Sequence, residues 1–302
     1  MRPTILARSL SLAAIAAGTL AAVAACSDAD RATLSPDDAS ADLAGAPGTH
    51  VQYGAPVSLG GGRARTYVIL DQKGRGAPLE VGVALDEWAL DGLPAHGTGD
   101  GPHGNFVAYD LPMPARHGTP YRFVELDWNP AGHGAPHEAA HFDFHFYSVT
   151  PAERNAIDPA DPQFQAKANA LPSAAYVPAP WLAFPAPPNA VAVPRMGVHW
   201  IDPNSPELQA LLGNPDAYRP FTTTFIFGSW DGKFIFAEPM VTRAFILSRR
   251  EAATAAARDT VMALSAPQRV AEPGYYPSAY RIAWDARARE YRVALTQLTR
   301  RD

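Results

Sequence analysis

The chain is 302 residues long, with 25 Lys and Arg against 30 Asp and Glu, a formal net charge of −5 and no basic cluster. Nucleic-acid binders match phosphate with a basic patch, so the charge argues against that class of partner. A single cysteine, Cys26, leaves no internal disulfide framework and no multi-cysteine metal site.

The first 26 residues read as an export leader. Arg2 and Arg8 form a basic start, Ser9 to Ala25 is an apolar run rich in Ala and Leu, and Val23-Ala24-Ala25 set small residues before Cys26. The pattern is similar to a bacterial lipobox, whose cysteine is acylated and becomes the new N-terminus. Ser27 rather than Asp follows it, which resembles signals for the outer membrane. The alternative, an uncleaved anchor helix, needs a longer apolar run. The expected location is the cell envelope, and the expected partner is the membrane, reached through the lipid anchor. Residues 27–50 are rich in Asp, Ala, Ser, Thr and Gly and read as a flexible tether. Residues 51–302 remain for a single β-rich domain, long enough to bury its own core.

Beyond the tether the chain alternates short β-like runs with turn residues. Thr66 to Leu70, Glu80 to Leu85, Phe106 to Tyr109, Tyr121 to Leu126, His141 to Val149 and Gly197 to Ile201 all fit strands. Asp231-Gly232 between two aromatic and β-branched runs (Phe221 to Trp230, Lys233 to Glu238) predicts a hairpin, because both turn positions must accept positive φ. Pro239 is expected to stop the second strand. Tyr280 to Asp285 and Glu290 to Leu295 form a further hairpin.

Helix is scarcer. Thr150 precedes Pro151 to Ile157 as an N-cap, with Glu153 in the first turn. Gln163 to Leu171 and Pro206 to Leu212, the latter capped by Ser205, are short candidates. Arg250 to Leu264, Ala-rich and free of Gly and Pro, is expected to be the longest. Seven prolines between Pro172 and Pro194 exclude a helix or central strand there. With Trp181 and Phe184 among them, they suggest a strap whose aromatics pack on the body. The expected class is α+β, β-dominated: antiparallel sheets, sandwich or barrel-like, with a few short helices and this Pro-rich strap.

The chemistry concentrates in Pro136-His-Glu-Ala-Ala-His-Phe-Asp-Phe-His-Phe-Tyr147, with His133 just upstream. Imidazole and carboxylate suit zinc and similar divalent cations. Two backbones compete for it. As a helix, His137-Glu-Ala-Ala-His141 is a zinc-protease string with the glutamate as base. Gly132, Gly134 and Pro136 crowd its entry, however, and the residues after it alternate with period two. As a strand, His141, Asp143 and His145 share one face and Phe142, Phe144 and Phe146 the other. Neighbours on that face lie about 6.6 Å apart and the two histidines about 13 Å, so one ion takes one histidine plus Asp143, or two ions, or an ion and a proton relay, divide the trio, with other ligands from elsewhere in the fold. Two such donors stand out: His199 between apolar neighbours, and Glu238 at the end of an apolar strand. Three histidines and a glutamate on strands resemble a cupin ligand set in chemistry, though the histidine spacing differs. His96, His103 and His117 lie in Gly- and Pro-rich loops and are assigned nothing.

Leu126-Asp-Trp-Asn-Pro-Ala-Gly-His133, His141-Phe-Asp-Phe-His-Phe-Tyr147, Gly197-Val-His-Trp200, Glu238-Pro-Met-Val241 and the closing Tyr275-Tyr276-Pro277 resemble successive motifs of a bacterial family of unknown function. Its members are exported or lipid-anchored. The resemblance implies a β-rich cation-binding domain, homo-oligomeric, with no assigned reaction. It also implies His133, His141, Asp143, His145, His199 and Glu238 as the metal positions. Ala140 replaces the proline expected before His141. Three functions follow: a non-catalytic metal-binding lipoprotein; a metal-dependent enzyme of cupin-like chemistry; a structural lipoprotein without metal. No Gly-x-Ser-x-Gly nucleophile elbow is present.

Overall fold

The computed structural model describes residues 46–71, 76–98 and 105–302. The leader, Cys26 and most of the tether lie outside them, as does His103. Strands dominate. The chain opens with β1 (Thr49–Tyr53), β2 (Val57–Leu59), β3 (Gly62–Asp71) and β4 (Ala77–Asp86), then β5 (Val107–Pro112), β6 (Phe123–Asn129) and β7 (His141–Tyr147). Short β8 (Leu182–Ala183), β9 (Ala192–Val193) and β10 (Gly197–Ile201) precede the long hairpin β11 (Thr223–Trp230) and β12 (Lys233–Thr242). Five more close the chain: β13 (Asp259–Ala263), β14 (Gly274–Tyr276), β15 (Ala279–Asp285), β16 (Glu290–Thr296) and β17 (Thr299–Arg301).

These strands make two large antiparallel sheets and a small ribbon, β14 with β17. The first sheet runs β1-β3-β4-β16-β15-β13, with β2 beside β3; the second runs β5-β6-β7-β12-β11-β10-β8, with β9 beside β10. One apolar core joins them. Val68, Val83, Ile282 and Val293 come from the first sheet, and Leu126, Phe142, Phe144, Phe146 and Val241 from the second. Alternation therefore decides what each outer face carries, because every inward apolar residue sends its neighbours outward. The β-dominated class read from the sequence holds.

Local signals worked where the chemistry is short-range. Asp231 and Gly232 adopt φ of 48° and 79°, the double positive turn that closes β11 onto β12. Thr150 caps α1 (Pro151–Asn155) through a capping box with Glu153, and α2 (Phe164–Asn169) forms where expected.

Several expectations need correction. The long helix is not Arg250 to Leu264. Instead Thr242 accepts from the Phe245 N–H and starts α3 (Arg243–Glu251), which ends at an extended Ala252. Thr254 then caps the single turn α4 (Ala255–Arg258), and Asp259–Ala263 pairs with β15 as a strand. Two side-chain caps and an available sheet edge outweigh alanine propensity there. Pro206–Leu208 is one 3-10 turn, and Ser205 makes no side-chain cap to it. Pro239 does not end β12, which continues to Thr242 with Phe225 opposite the proline. In the strap, Trp181 is buried and donates its indole N–H to the Phe225 carbonyl, whereas Phe184 is exposed. Thr49 and His50, assigned to the tether by composition, already belong to β1.

Candidate metal centre

In β7 the three phenylalanines enter the core, so His141, Asp143 and His145 occupy the outer face of the second sheet. The neighbouring strands add polar groups to that face. In β6, Val124, Leu126 and Trp128 point inward and Glu125, Asp127 and Asn129 outward; the register pairs them with His145, Asp143 and His141 in turn. On the other side, Ala237 pairs with Phe146 and Met240 with Asp143, which brackets Glu238 opposite His145. All of these residues are buried.

A first cluster forms where the loop after β6 folds back. Gly132 and Gly134 adopt positive φ, and the His137 N–H donates to the Gly134 carbonyl at 2.7 Å. A side chain at Gly132 would collide with the His137 carbonyl. The turn brings His133 Nε2 to 3.1 Å from His141 Nε2 and 3.6 Å from Asp143 Oδ2; His141 Nε2 lies 3.2 Å from Asp143 Oδ1. Zinc bonds of about 2.0–2.2 Å arranged tetrahedrally put neighbouring ligand atoms about 3.3–3.6 Å apart. The three separations sit around that edge length. His141 Nδ1 lies 2.6 Å from the Ala139 carbonyl, which takes the ring proton there and leaves the Nε2 lone pair facing the cluster. Asn129 Nδ2 donates to Asp143 Oδ2 at 2.8 Å. Burial by itself raises the Asp143 carboxyl, but the His141 and His133 rings beside it hold it well below the usual range.

A second cluster centres on His145. Its Nε2 lies 3.4 Å from Glu238 Oε2 and its Nδ1 3.6 Å from Asp127 Oδ2, and neither nitrogen has a hydrogen-bond partner. His199, on β10, offers a ring nitrogen within 4.8 Å of ligand atoms of both His145 and Glu238. The Phe236 ring packs edge-on against both imidazoles, at 4.8 Å and 5.6 Å. Burial, then the charge of Asp143, pushes the carboxyls of Asp127 and Glu238 well up, and burial pushes His145 down to about 4. The largest cause is common to all three: burial on a dry face disfavours the charged form of each. Glu125 is different, because buried Arg154 pairs with it and with Asp110. That pairing removes Glu125 from the ligands available beside Asp127 and His145.

The extended backbone therefore divides the predicted trio: His141 and Asp143 meet His133, while His145 meets Glu238 and His199. Buried His, Asp and Glu groups here could hold a metal ion. Residues 137–140 are loop and His141 opens a strand, so the protease string has no helix to act on. Glu138 is exposed, but His137 is buried, with its Nε2 3.9 Å from Glu207 Oε1 and its ring 5.6 Å from that of His133. Sequence reasoning missed Asp127, Asn129 and Glu207, and weighed His137 only within the protease string. The alternation Val-Glu-Leu-Asp-Trp-Asn in β6, which puts two carboxylates and an amide on one strand face, is the signal that could have found the first two.

A family model described as TTHB210-like (hypothetical protein TTHB210) matches residues 74–128, which take in β4, β5 and β6 as far as Trp128. That is well under half of the chain, and the description carries no activity. The matched residues include Glu125 and Asp127 but none of β7, β10 or β12. No curated protein and no solved structure matches.

Proposed function

We propose that this chain is a lipid-anchored envelope protein whose β-domain binds divalent cations, zinc foremost, through His133, His141 and Asp143 and through His145, His199 and Glu238. The single observation that carries the reading is the spacing of the first set: the two Nε2 atoms lie 3.1 Å apart, and the Asp143 carboxylate oxygens lie 3.2 and 3.6 Å from them. Imidazole and carboxylate repel no divalent ion, and burial makes their unmet polarity costly without one. The anchoring half rests on the leader pattern and Cys26. The role is binding, with no reaction assigned.

The test uses the full chain, purified without a histidine tag, and elemental analysis. Bound metal should be stoichiometric, and His141→Ala and His145→Ala should each lower it. A chain without metal, whose melting temperature ignores added zinc, sinks the cation reading. The anchor is checked by labelling cells with a tagged fatty acid: label on the wild type should disappear in Cys26→Ala. A second reading, a metal-dependent enzyme, is favoured by one observation: His133 stands at the rim, its side chain 28% exposed, so an ion there can keep a position for an outside ligand.

A further inference from the structure

We propose that the two clusters are separate cation sites of different kind: an inner, closed one at His145, and an outer, exchangeable one at His133 that keeps a coordination position for water or a small anion. The inference deepens the cation-binding reading and rests on it.

Separation follows from the strand. Asp143 and His145 are two residues apart on an extended backbone, about 6.6 Å, whereas ions that share a bridging ligand lie about 3.5–4 Å apart. Charge also leaves room for two. Asp127, Asp143 and Glu238 are three buried carboxylates, and their ion-pair partners among the described residues are imidazoles rather than Lys or Arg. With all three ionised, one divalent ion leaves one negative charge unbalanced, and two leave one positive charge over.

The inner site is the more closed. His145 and Glu238 are 1% and 2% exposed, His199 is half-buried, and Phe236 lies across the imidazoles of His145 and His199. Asp127 faces the Nδ1 side of His145 while Glu238 faces Nε2. A carboxylate behind a ligating histidine fixes its tautomer and orientation, so Asp127 is assigned as a positioning residue rather than a ligand. The outer site is open. Its three ligands leave a fourth position, one of them sits on an exposed loop, and beside it His137 Nε2 and Glu207 Oε1 are buried without hydrogen-bond partners. Those two atoms are suited to hold a molecule in the fourth position.

The full chain, loaded with zinc and then challenged with excess EDTA, tests this, with released metal read by a chromogenic chelator. Two equivalents should leave in two phases, the second at least tenfold slower. His133→Ala should remove the fast equivalent alone and Glu238→Gln the slow one alone. If Glu238→Gln fails to fold, Asp127→Asn replaces it: the slow phase should accelerate at least tenfold while the fast phase holds. With cobalt(II) in place of zinc, azide should shift the visible bands of the wild type and leave those of His133→Ala unmoved. A single equivalent, a single phase, or loss of both equivalents in His133→Ala overturns the two-site inference while cation binding stands. Bands that ignore azide overturn the open position. A wild type that takes up no metal removes both readings.

Discussion

His133 and His141 face each other across 3.1 Å through their Nε2 atoms, although one lies on an exposed turn and the other opens a fully buried strand. Two neutral imidazoles cannot both donate across that gap, and His141 already spends its Nδ1 proton on the Ala139 carbonyl. The gap can be closed in two ways: by one proton, donated from His133 Nε2 to the His141 lone pair, or by a cation that takes both lone pairs.

Asn129 supports that arrangement from outside, by donating to Asp143 Oδ2 at 2.8 Å. Asn129→Ala should therefore weaken zinc at this cluster by about 10–100-fold, the usual loss when an orienting partner is removed. The metal-free chain should also lose about 1–3 kcal/mol, since a buried carboxylate oxygen loses its amide donor. Competition with a zinc indicator and denaturant melts in a chelator measure the two effects. Unchanged affinity with lost stability means that Asn129 serves the fold alone.

How much of this was legible in the sequence divides along range. The β7 alternation announced both its Phe row and its polar trio, and Asp231-Gly232 announced the hairpin, because each is a property of adjacent residues. Nothing local shows that β6 lays Asn129 beside His141, or that the turn at Gly132 swings His133 back, because strand order and register decide both. The misplaced helix has the same origin. Arg250 to Leu264 is helical by composition, yet Asp259–Ala263 is recruited by β15, a partner that lies beyond any local window.

Gly228 tests the link between sheet geometry and the second cluster. It pairs with His199 on one side and Phe236 on the other, at a bulge. A Cβ built there falls about on the Phe236 ring, 2.0 Å from its nearest atom. Gly228→Ala must push that ring off the imidazoles it packs against. A loss of about 1–3 kcal/mol is expected from the overpacking, with faster zinc release from the inner site. Release at the wild-type rate in a destabilised variant shows that Phe236 does not shield the ion.

Alkaline pH probes the opposite face of the molecule. Tyr67 is fully buried and donates to Glu80 Oε1 at 2.6 Å. Burial first, then the Glu80 charge, holds its phenol well above the ordinary value. The sign follows directly: the unfolded chain releases this proton near pH 10 while the folded chain keeps it, so the contribution is whole below about pH 10 and is lost as pH rises toward the folded value. Tyr67→Phe should flatten the fall in stability above pH 9.5 or so relative to wild type, about 0.5 pH below that reference value. Urea melts from neutral to alkaline pH read the difference; parallel curves mean that Tyr67 takes no part in it.

Arg154 is what keeps Glu125 from adding a further bare carboxylate to the site. It reaches from α1 to Glu125 and Asp110 and lies over the Phe123 and Tyr147 rings. Glu125 is in register with His145, so removing the guanidinium leaves an uncompensated charge within the buried face. Arg154→Met should cost about 3–5 kcal/mol, the usual result of breaking one half of a buried pair. Neutralising the other half with Glu125→Gln in the same chain should return most of that loss, because the penalty lies in the stranded charge rather than in the lost attraction. Denaturant melts of the two single variants and the double, in a chelator so that metal plays no part, decide the matter. A double variant no more stable than Arg154→Met places the cost in the stacking over Phe123 and Tyr147, and the electrostatic account of the pair then fails.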